Sequence, residues 1–397
     1  MKPRSIAVIG GGPAGSLVAA KLAQSGYRVL LFDEKLAWEK PCGGGLTHKA
    51  ITRYPFLREA HVERNWISRC EITSPSGRRV EFQLDQPIAI FSRRVLNGLL
   101  LNMAVQAGAE LRQLRITSIE GSLGHWRLHN PDREIQAEYL ILATGARNPF
   151  RAQFSRAFTA DDLMATAGYF IPSTRDSIEL QFLPGLHGYI WIFPRTNHLS
   201  AGICGKLGAL STTRLRELLE QSLRKAGLAF AGTEFYAHIL PALSLNTLRR
   251  APVTGPGWAM IGDAAGFTDP ITGEGLYYAL RSADLLSDAL LQEHPESYSI
   301  RLDTDFLPEL EVAARVADRF FTGRWMGEAV TDRMVQFTHH SPKFRDLMCD
   351  MFSGAQGYMG LRQRLYCALP AMVAESAISA LGLRGERRCR PGIPKAF

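Results

Sequence analysis

Gly10-Gly11-Gly12-Pro13-Ala14-Gly15 decides the fold, set as it is between the apolar run Ile6-Ala7-Val8-Ile9 and an Ala/Leu-rich segment that starts at Ser16. The pattern is G-x-G-x-x-G between an expected strand and an expected helix, the context that a dinucleotide-binding βαβ unit requires. Gly10 permits the tight turn, Gly12 lets the backbone approach a pyrophosphate, and Gly15 lets the helix pack close to the strand. Pro13 and Ala14 lie at the opening of that helix, whose unpaired N–H groups and partial positive charge suit phosphate oxygens. A second strand over residues 28–32 ends at Asp33, the expected distance on for a carboxylate that binds ribose hydroxyls. Glu34 takes that place if the register slips by one.

About 250 residues further on, Trp258-Ala259-Met260-Ile261 reads as a short buried strand. It runs into Gly262-Asp263-Ala264-Ala265-Gly266, and the stretch continues to Gly273-Glu274-Gly275. This pattern resembles the GD motif of the flavoprotein hydroxylase superfamily, the para-hydroxybenzoate hydroxylase type. The resemblance implies an FAD whose ribityl chain is bound by Asp263, with the following helix aimed at the flavin ring. A helix starting near Thr272 would stabilise the negative charge of reduced flavin.

The composition is that of an ordinary globular protein: 397 residues, 46% apolar, 21% charged. Its six cysteines form no C-x-x-C pair and no metal spacing, so they read as reduced thiols in a cytosolic protein without a metal site. The first strand starts by residue 5 or 6, which leaves no room for a signal peptide, and no window holds 18 consecutive apolar residues. The formal charge of +8 suits anionic cofactors, while the scattered basic residues and the lack of a recognition motif argue against nucleic acid. Residues 368–383 are apolar with one charge, and Arg384, Arg387, Arg388, Arg390 and Lys395 follow. Such a segment either lies on the inner face of a membrane as a peripheral contact or packs as a terminal helix.

The expected fold is mixed α/β. A Rossmann-type FAD-binding domain spans 1–153 and resumes over 251–295, an antiparallel-sheet substrate domain (154–250) is inserted, and a helical region covers 296–397. Strands are expected at 67–73, 79–84, 111–120, 126–129 and 139–143, the last running into Thr144-Gly145. In the inserted part, strands at 165–171, 177–182, 188–194, 199–204 and 234–240 surround a helix over 213–226, whose leucines form one stripe.

The loop Pro41-Cys42-Gly43-Gly44-Gly45, the run Tyr189-Ile190-Trp191-Ile192-Phe193-Pro194 and the stretch 262–275 together resemble the geranylgeranyl reductase family, a branch of the hydroxylase superfamily. The resemblance covers roughly residues 5–290 and implies reduction of carbon–carbon double bonds in polyprenyl lipids, quinones or diphosphates. It also implies that Arg93 opens a helix beside the FAD, that Gly43 and Gly44 fold over the flavin, and that Arg151 follows the second fingerprint. Thr144-Gly145 stands where hydroxylases usually carry Asp-Gly, and Asn97 where an Asp is common. The first departure weakens the case for a hydroxylase-type response to NAD(P)H.

Cys42 is read either as a thiol near the flavin that polarises or protonates substrate, or as a loop residue with a packing role. Tyr189, Trp191 and Phe193 alternate along one strand and share a face, which is either core or the wall of a pocket for a long apolar substrate. The leading expectation is an FAD-dependent reductase supplied by NAD(P)H or by a reduced carrier protein such as ferredoxin, with a proton from near Cys42 or Tyr189. The alternatives are a flavin-dependent monooxygenase, hydroxylase or halogenase, and a non-catalytic electron-transfer partner.

Overall fold

Ser5–Ile9 is buried from Ile6 onward, which is why it reads as an uninterrupted apolar run rather than an alternating one. It lies at the centre of a six-stranded sheet in the computed structural model, which describes residues 5–380. The order is Thr254–Gly255, Trp258–Met260, Tyr139–Leu142, Ser5–Ile9, Arg28–Phe32 and Glu110–Arg112. All pairings are parallel except the edge hairpin between the first two. Helix Pro13–Gln24 packs on these strands and touches both Arg93–Gln106 and Leu276–Leu291, so Val18, Leu22, Leu100 and Leu286 share one core with the sheet.

The expected strand over 111–120 divides in two. Glu110–Arg112 joins the six-stranded sheet, while Ser118–Ser122 begins a separate antiparallel sheet with His125–Asn130 and Arg133–Ala137. The backbone changes partner between them: Asp33 N donates to Arg112 O, and Thr117 N donates to His129 O.

The second large sheet has eight strands, in the order Phe235–Pro241, Leu163–Ile171, Leu199–Lys206, Gly188–Pro194, Ser177–Gln181, Asn65–Thr73, Arg79–Ile90 and Gly45–Leu46. Its last three strands come from residues 45–90, so the sheet draws on chain from before the inserted segment. Ser177–Gln181 and Asn65–Thr73 are its one parallel pair. Helix Thr212–Lys225 covers one face through Leu215, Leu219 and Leu223, each fully buried and each contributing about 1.5–3 kcal/mol. Against the other face lie Leu307–Thr322, Val330–His340 and Pro342–Ser353, where Phe321, Val335 and Met348 pack with Ile72, Phe82 and Trp191. Leu361–Ala380 packs against the last two of these helices.

The helix expected near Thr272 starts at Leu276 instead. Asp269 Oδ1 accepts from the backbone N–H of Ile271 at 2.8 Å and of Thr272 at 3.2 Å, and Gly273 takes φ +70°. Residues 269–275 are therefore a closed turn ahead of the helix.

Candidate active site

The glycines of the first turn occupy three different surroundings. A Cβ on Gly10 would fall 2.3 Å from Ala143 O, and one on Gly15 would fall 1.8 Å from Gly10 O. At Gly12 a Cβ would meet nothing within 4 Å. The first two are close contacts of strand, turn and helix, and the third is open space at a helix N-terminus, as a pyrophosphate needs. Asp33 closes the turn from below: its carboxylate accepts from Gly11 N at 2.6 Å, Lys35 N at 2.8 Å and Leu36 N at 2.6 Å. Glu34 is exposed beside it, near Arg115.

Asp263 sits at the far end of the same cleft. Its carboxylate pairs with Lys40 Nζ at 3.0 Å and accepts from Thr268 Oγ1 at 3.3 Å. Burial pushes this carboxyl up, but Lys40, with Arg93 behind it, outweighs burial and holds it below the usual carboxylate range. Arg93 is buried at the start of its helix and donates to Asn97 Oδ1 at 3.2 Å, so Asn97 orients the guanidinium. Arg151 donates to Ala264 O at 2.6 Å from inside the core and supports the turn that carries Asp263; burial lowers it to about 10. The hydroxyl of Thr144 is buried without a partner, and Gly145, at φ +78°, lines the cleft beside it.

The glycines after Cys42 are closely enclosed, Gly43 and Gly45 by the Phe193 ring and Gly44 by backbone. A Cβ on Gly43 would be 2.8 Å from Phe193, and one on Gly44 would be 2.1 Å from Phe91 O. The carbonyl of Cys42 accepts from Arg195 at 2.6 Å and from Ser200 Oγ at 2.7 Å. Arg195 is fully buried and also pairs with Glu39, which in turn accepts from Ser92 and from Arg93 N. Loop 39–45 is thus tied to the eight-stranded sheet and to the Arg93 helix together. The Cys42 sulfur accepts from Gly44 N at 3.3 Å.

The alternation in Gly188–Pro194 is as expected: Ile190 and Ile192 pack under helix Thr212–Lys225, while Tyr189, Trp191 and Phe193 face the other way. Tyr189 donates its hydroxyl to Thr272 O, which joins the sheet to the 269–275 turn, and burial pushes this phenol well above its ordinary range. Its ring stacks near Phe321 at 14°. A Cβ on Gly273 would fall 2.9 Å from the Tyr189 hydroxyl, and one on Gly275 would fall 3.2 Å from Asp263 Oδ1.

One cavity of about 1690 Å³ is lined by Gly10, Gly12, Pro13, Ala14, Asp33 and Glu34, by Cys42, Arg93 and Asp263, and by Tyr189, Trp191 and Phe193. One half is polar and bounded by the first turn and Asp263. The other is apolar and roofed by residues such as Met334, Phe337, Phe344, Met348 and Phe352. No motif in the sequence gives these roof residues a role, and Lys40, His238 and Glu274, which also line the cavity, stand in motifs or strands without one of their own. Their apolar roof residues fall on helices with no motif, and only the helical spacing of large side chains between 330 and 353 marks them. Helix Leu361–Ala380 lies at the cavity edge, since Tyr366 and Leu369 both line it and are exposed. The basic residues 384–395, on which a membrane contact was expected to rest, lie outside the described residues. Among the described residues no helix is long and apolar enough to cross a membrane.

The open space at Gly12, the pinned Asp33, the buried unpartnered Thr144 hydroxyl and the Asp263 carboxylate fit FAD. Comparison with known proteins agrees. Residues 4–169 match the pyridine nucleotide-disulphide oxidoreductase family. A menaquinone reductase of Mycobacterium tuberculosis is 29% identical, over 72% of this chain and 76% of its own. A digeranylgeranylglycerophospholipid reductase of Methanopyrus kandleri is 27% identical, over 79% of this chain and 89% of its own. The fold is shared with a geranylgeranyl bacteriochlorophyll reductase-like protein of Thermoplasma acidophilum, with TM-score 0.72 at 19% identity over 91% of this chain and 98% of the other. It is also shared with a flavin-dependent brominase, with TM-score 0.68 at 16% identity over 88% and 93%. The chain is an FAD-dependent oxidoreductase, homologous to proteins named as geranylgeranyl and menaquinone reductases.

Proposed function

We propose that this enzyme reduces carbon–carbon double bonds in an isoprenoid or comparably apolar substrate. The observation that carries the reading is the continuity of the polar cofactor cleft with an apolar space walled by Trp191, Phe193 and the roof helices. Two sequence relatives named as reductases of a prenyl lipid and of menaquinone support it. Bound reduced flavin supplies a hydride, and the protein supplies position and exclusion of water. Loop 39–45, held through the Cys42 carbonyl by Arg195 and Ser200, carries Cys42, which is among the residues that line the cavity. Gly12, Asp33, Arg93 and Asp263 would hold the dinucleotide. The reductant is NAD(P)H or a reduced carrier protein. The exposed Tyr366 and Leu369 at the cavity edge support peripheral contact with a membrane that holds such a substrate.

The test is anaerobic. Dithionite-reduced enzyme is mixed with geranylgeranyl diphosphate or a menaquinone, and flavin reoxidation is followed with product mass. The expected products are two mass units heavier for each bond reduced. The brominase fold neighbour keeps a second reading, oxygen activation for hydroxylation or halogenation. A product formed only with oxygen, and carrying added oxygen or halogen, overturns the reductase reading.

A further inference from the structure

Reducing an alkene takes a hydride at one carbon and a proton at the other, so a cavity built for it needs a group that holds a proton at neutral pH. Tyr189 holds a proton but releases it poorly: its hydroxyl is donated to Thr272 O, and burial pushes the phenol well above its ordinary range. In Cys42 the sulfur acts as acceptor toward Gly44 N. His238 lines the cavity with Nε2 unpartnered, but burial, followed by Lys40, lowers it to about 3 and leaves it neutral. Asp263 is ion-paired with Lys40.

We infer that the carboxyl of Glu274, carried between Gly273 and Gly275 where the cofactor turn meets the Tyr189 face, supplies that proton. This rests on the reductase reading above. Glu274 lines the cavity and accepts one hydrogen bond, from Thr47 Oγ1 at 3.2 Å. The neighbouring carboxyl, Asp269, accepts three: from Ile271 N and Tyr358 OH at 2.8 Å each, and from Thr272 N at 3.2 Å. Two carboxyls in one wall, Asp269 buried and Glu274 half-buried, cannot both ionise without penalty, and the one with more hydrogen-bond donors keeps the charge. Burial pushes Asp269 up as well, but Ile271 N, Tyr358 OH and Thr272 N oppose it, so by donor count the charge falls to Asp269 and the proton to Glu274. The remaining charged and titratable neighbours are Lys49, whose Nζ lies 4.2 Å from the Tyr277 ring centre, and the phenols Tyr277, Tyr278 and Tyr358. Burial, then Asp269, pushes Glu274 up to about 7, against the pull of Lys49 and Thr47.

The step balances. The π bond opens, one carbon takes a hydride with its two electrons from the reduced flavin, and the other takes the Glu274 proton. Two C–H bonds form, the flavin is oxidised by two electrons, and the carboxylate regains its proton from solvent.

The experiment uses the FAD-loaded full chain and the variants Glu274→Gln, Glu274→Asp and Thr47→Val. With geranylgeranyl diphosphate, Glu274→Gln should lower kcat by about a hundredfold, with Glu274→Asp in between and the basic limb of the pH profile lost. A second measurement needs no substrate: the midpoint potential of the bound flavin against pH. The wild type should show a bend near neutrality that moves to higher pH in Thr47→Val, where Glu274 loses its donor, and vanishes in Glu274→Gln. An unchanged bend and an unchanged pH profile in Glu274→Gln overturn the assignment. If the bend behaves as expected while no polyprenyl substrate is reduced, the proton-holding site stands and the substrate reading falls.

Discussion

The Asp263 carboxylate meets Lys40 Nζ at 3.0 Å and Thr268 Oγ1 at 3.3 Å, in a turn held from behind by the Arg151 guanidinium. A hydrogen bond to a charged group contributes about 1.5–3 kcal/mol, so Asp263→Ala should weaken FAD binding by roughly tenfold or more for each bond lost to the cofactor. Fluorescence titration of the apoprotein measures it, and full FAD occupancy in the variant would refute the assignment. Gly12 allows a cleaner separation of fold from cofactor. Its φ is −70° with extended ψ, and a Cβ there meets no protein atom within 4 Å. Gly12→Val should therefore fold like the wild-type apoprotein, with an unchanged thermal midpoint, and bind no FAD. A folded variant that keeps stoichiometric cofactor would mean that the pyrophosphate lies elsewhere.

At the scale of elements, loop 39–45 is held from two sides, by the eight-stranded sheet and by the start of the Arg93 helix. Gly44 combines φ +84° with a Cβ position 2.1 Å from Phe91 O, so Gly44→Ala should distort the loop and alter the absorbance of bound flavin without removing it. The Glu39–Arg195 pair under the loop makes its anchoring pH-dependent. Burial raises Glu39, but Arg195, Ser92 and Arg93 N outweigh burial, and the net shift is downward. A depressed carboxyl contributes stability above its unfolded pKa and loses it as pH falls through the folded value. The thermal midpoint should therefore fall on acidification below about pH 4–5, and Glu39→Gln should flatten that limb. Much of this was legible in the chain. The G-x-G-x-x-G turn and the period-two face of Tyr189, Trp191 and Phe193 each follow from one local rule. The start of the Leu276 helix was not, because the Asp269 side chain takes the backbone donors of Ile271 and Thr272 and postpones it. Nor was the partition of 110–122 between two sheets, which only long-range pairing with Arg28–Phe32 and His125–Asn130 decides.

Across the whole molecule, the cavity joins two bodies whose sequence signals differ. The six-stranded sheet announces itself through turns that must be glycine. The apolar half depends on the eight-stranded sheet and on helices from 307 onward, whose large side chains face a cavity and therefore read like any other core stripe. This division predicts that the two halves can be damaged separately. Leu180 lies opposite Trp191 in the sheet, on the cavity side, and packs with the cluster that includes Phe182 and Phe321. Leu180→Trp places a further indole in the apolar half, far in the chain from Gly12 and Asp263. FAD affinity should stay within about threefold of wild type, since well-separated sites act nearly independently. Turnover of a geranylgeranyl-length substrate should fall by about tenfold or more in kcat/KM relative to a shorter prenyl chain, because each methylene that no longer fits costs about 1–3 kcal/mol. Chain-length competition assays on the FAD-loaded variant decide it. Equal loss for long and short chains would mean that the substrate does not reach Leu180, and a loss of FAD would mean that the two halves of the cavity are mechanically coupled.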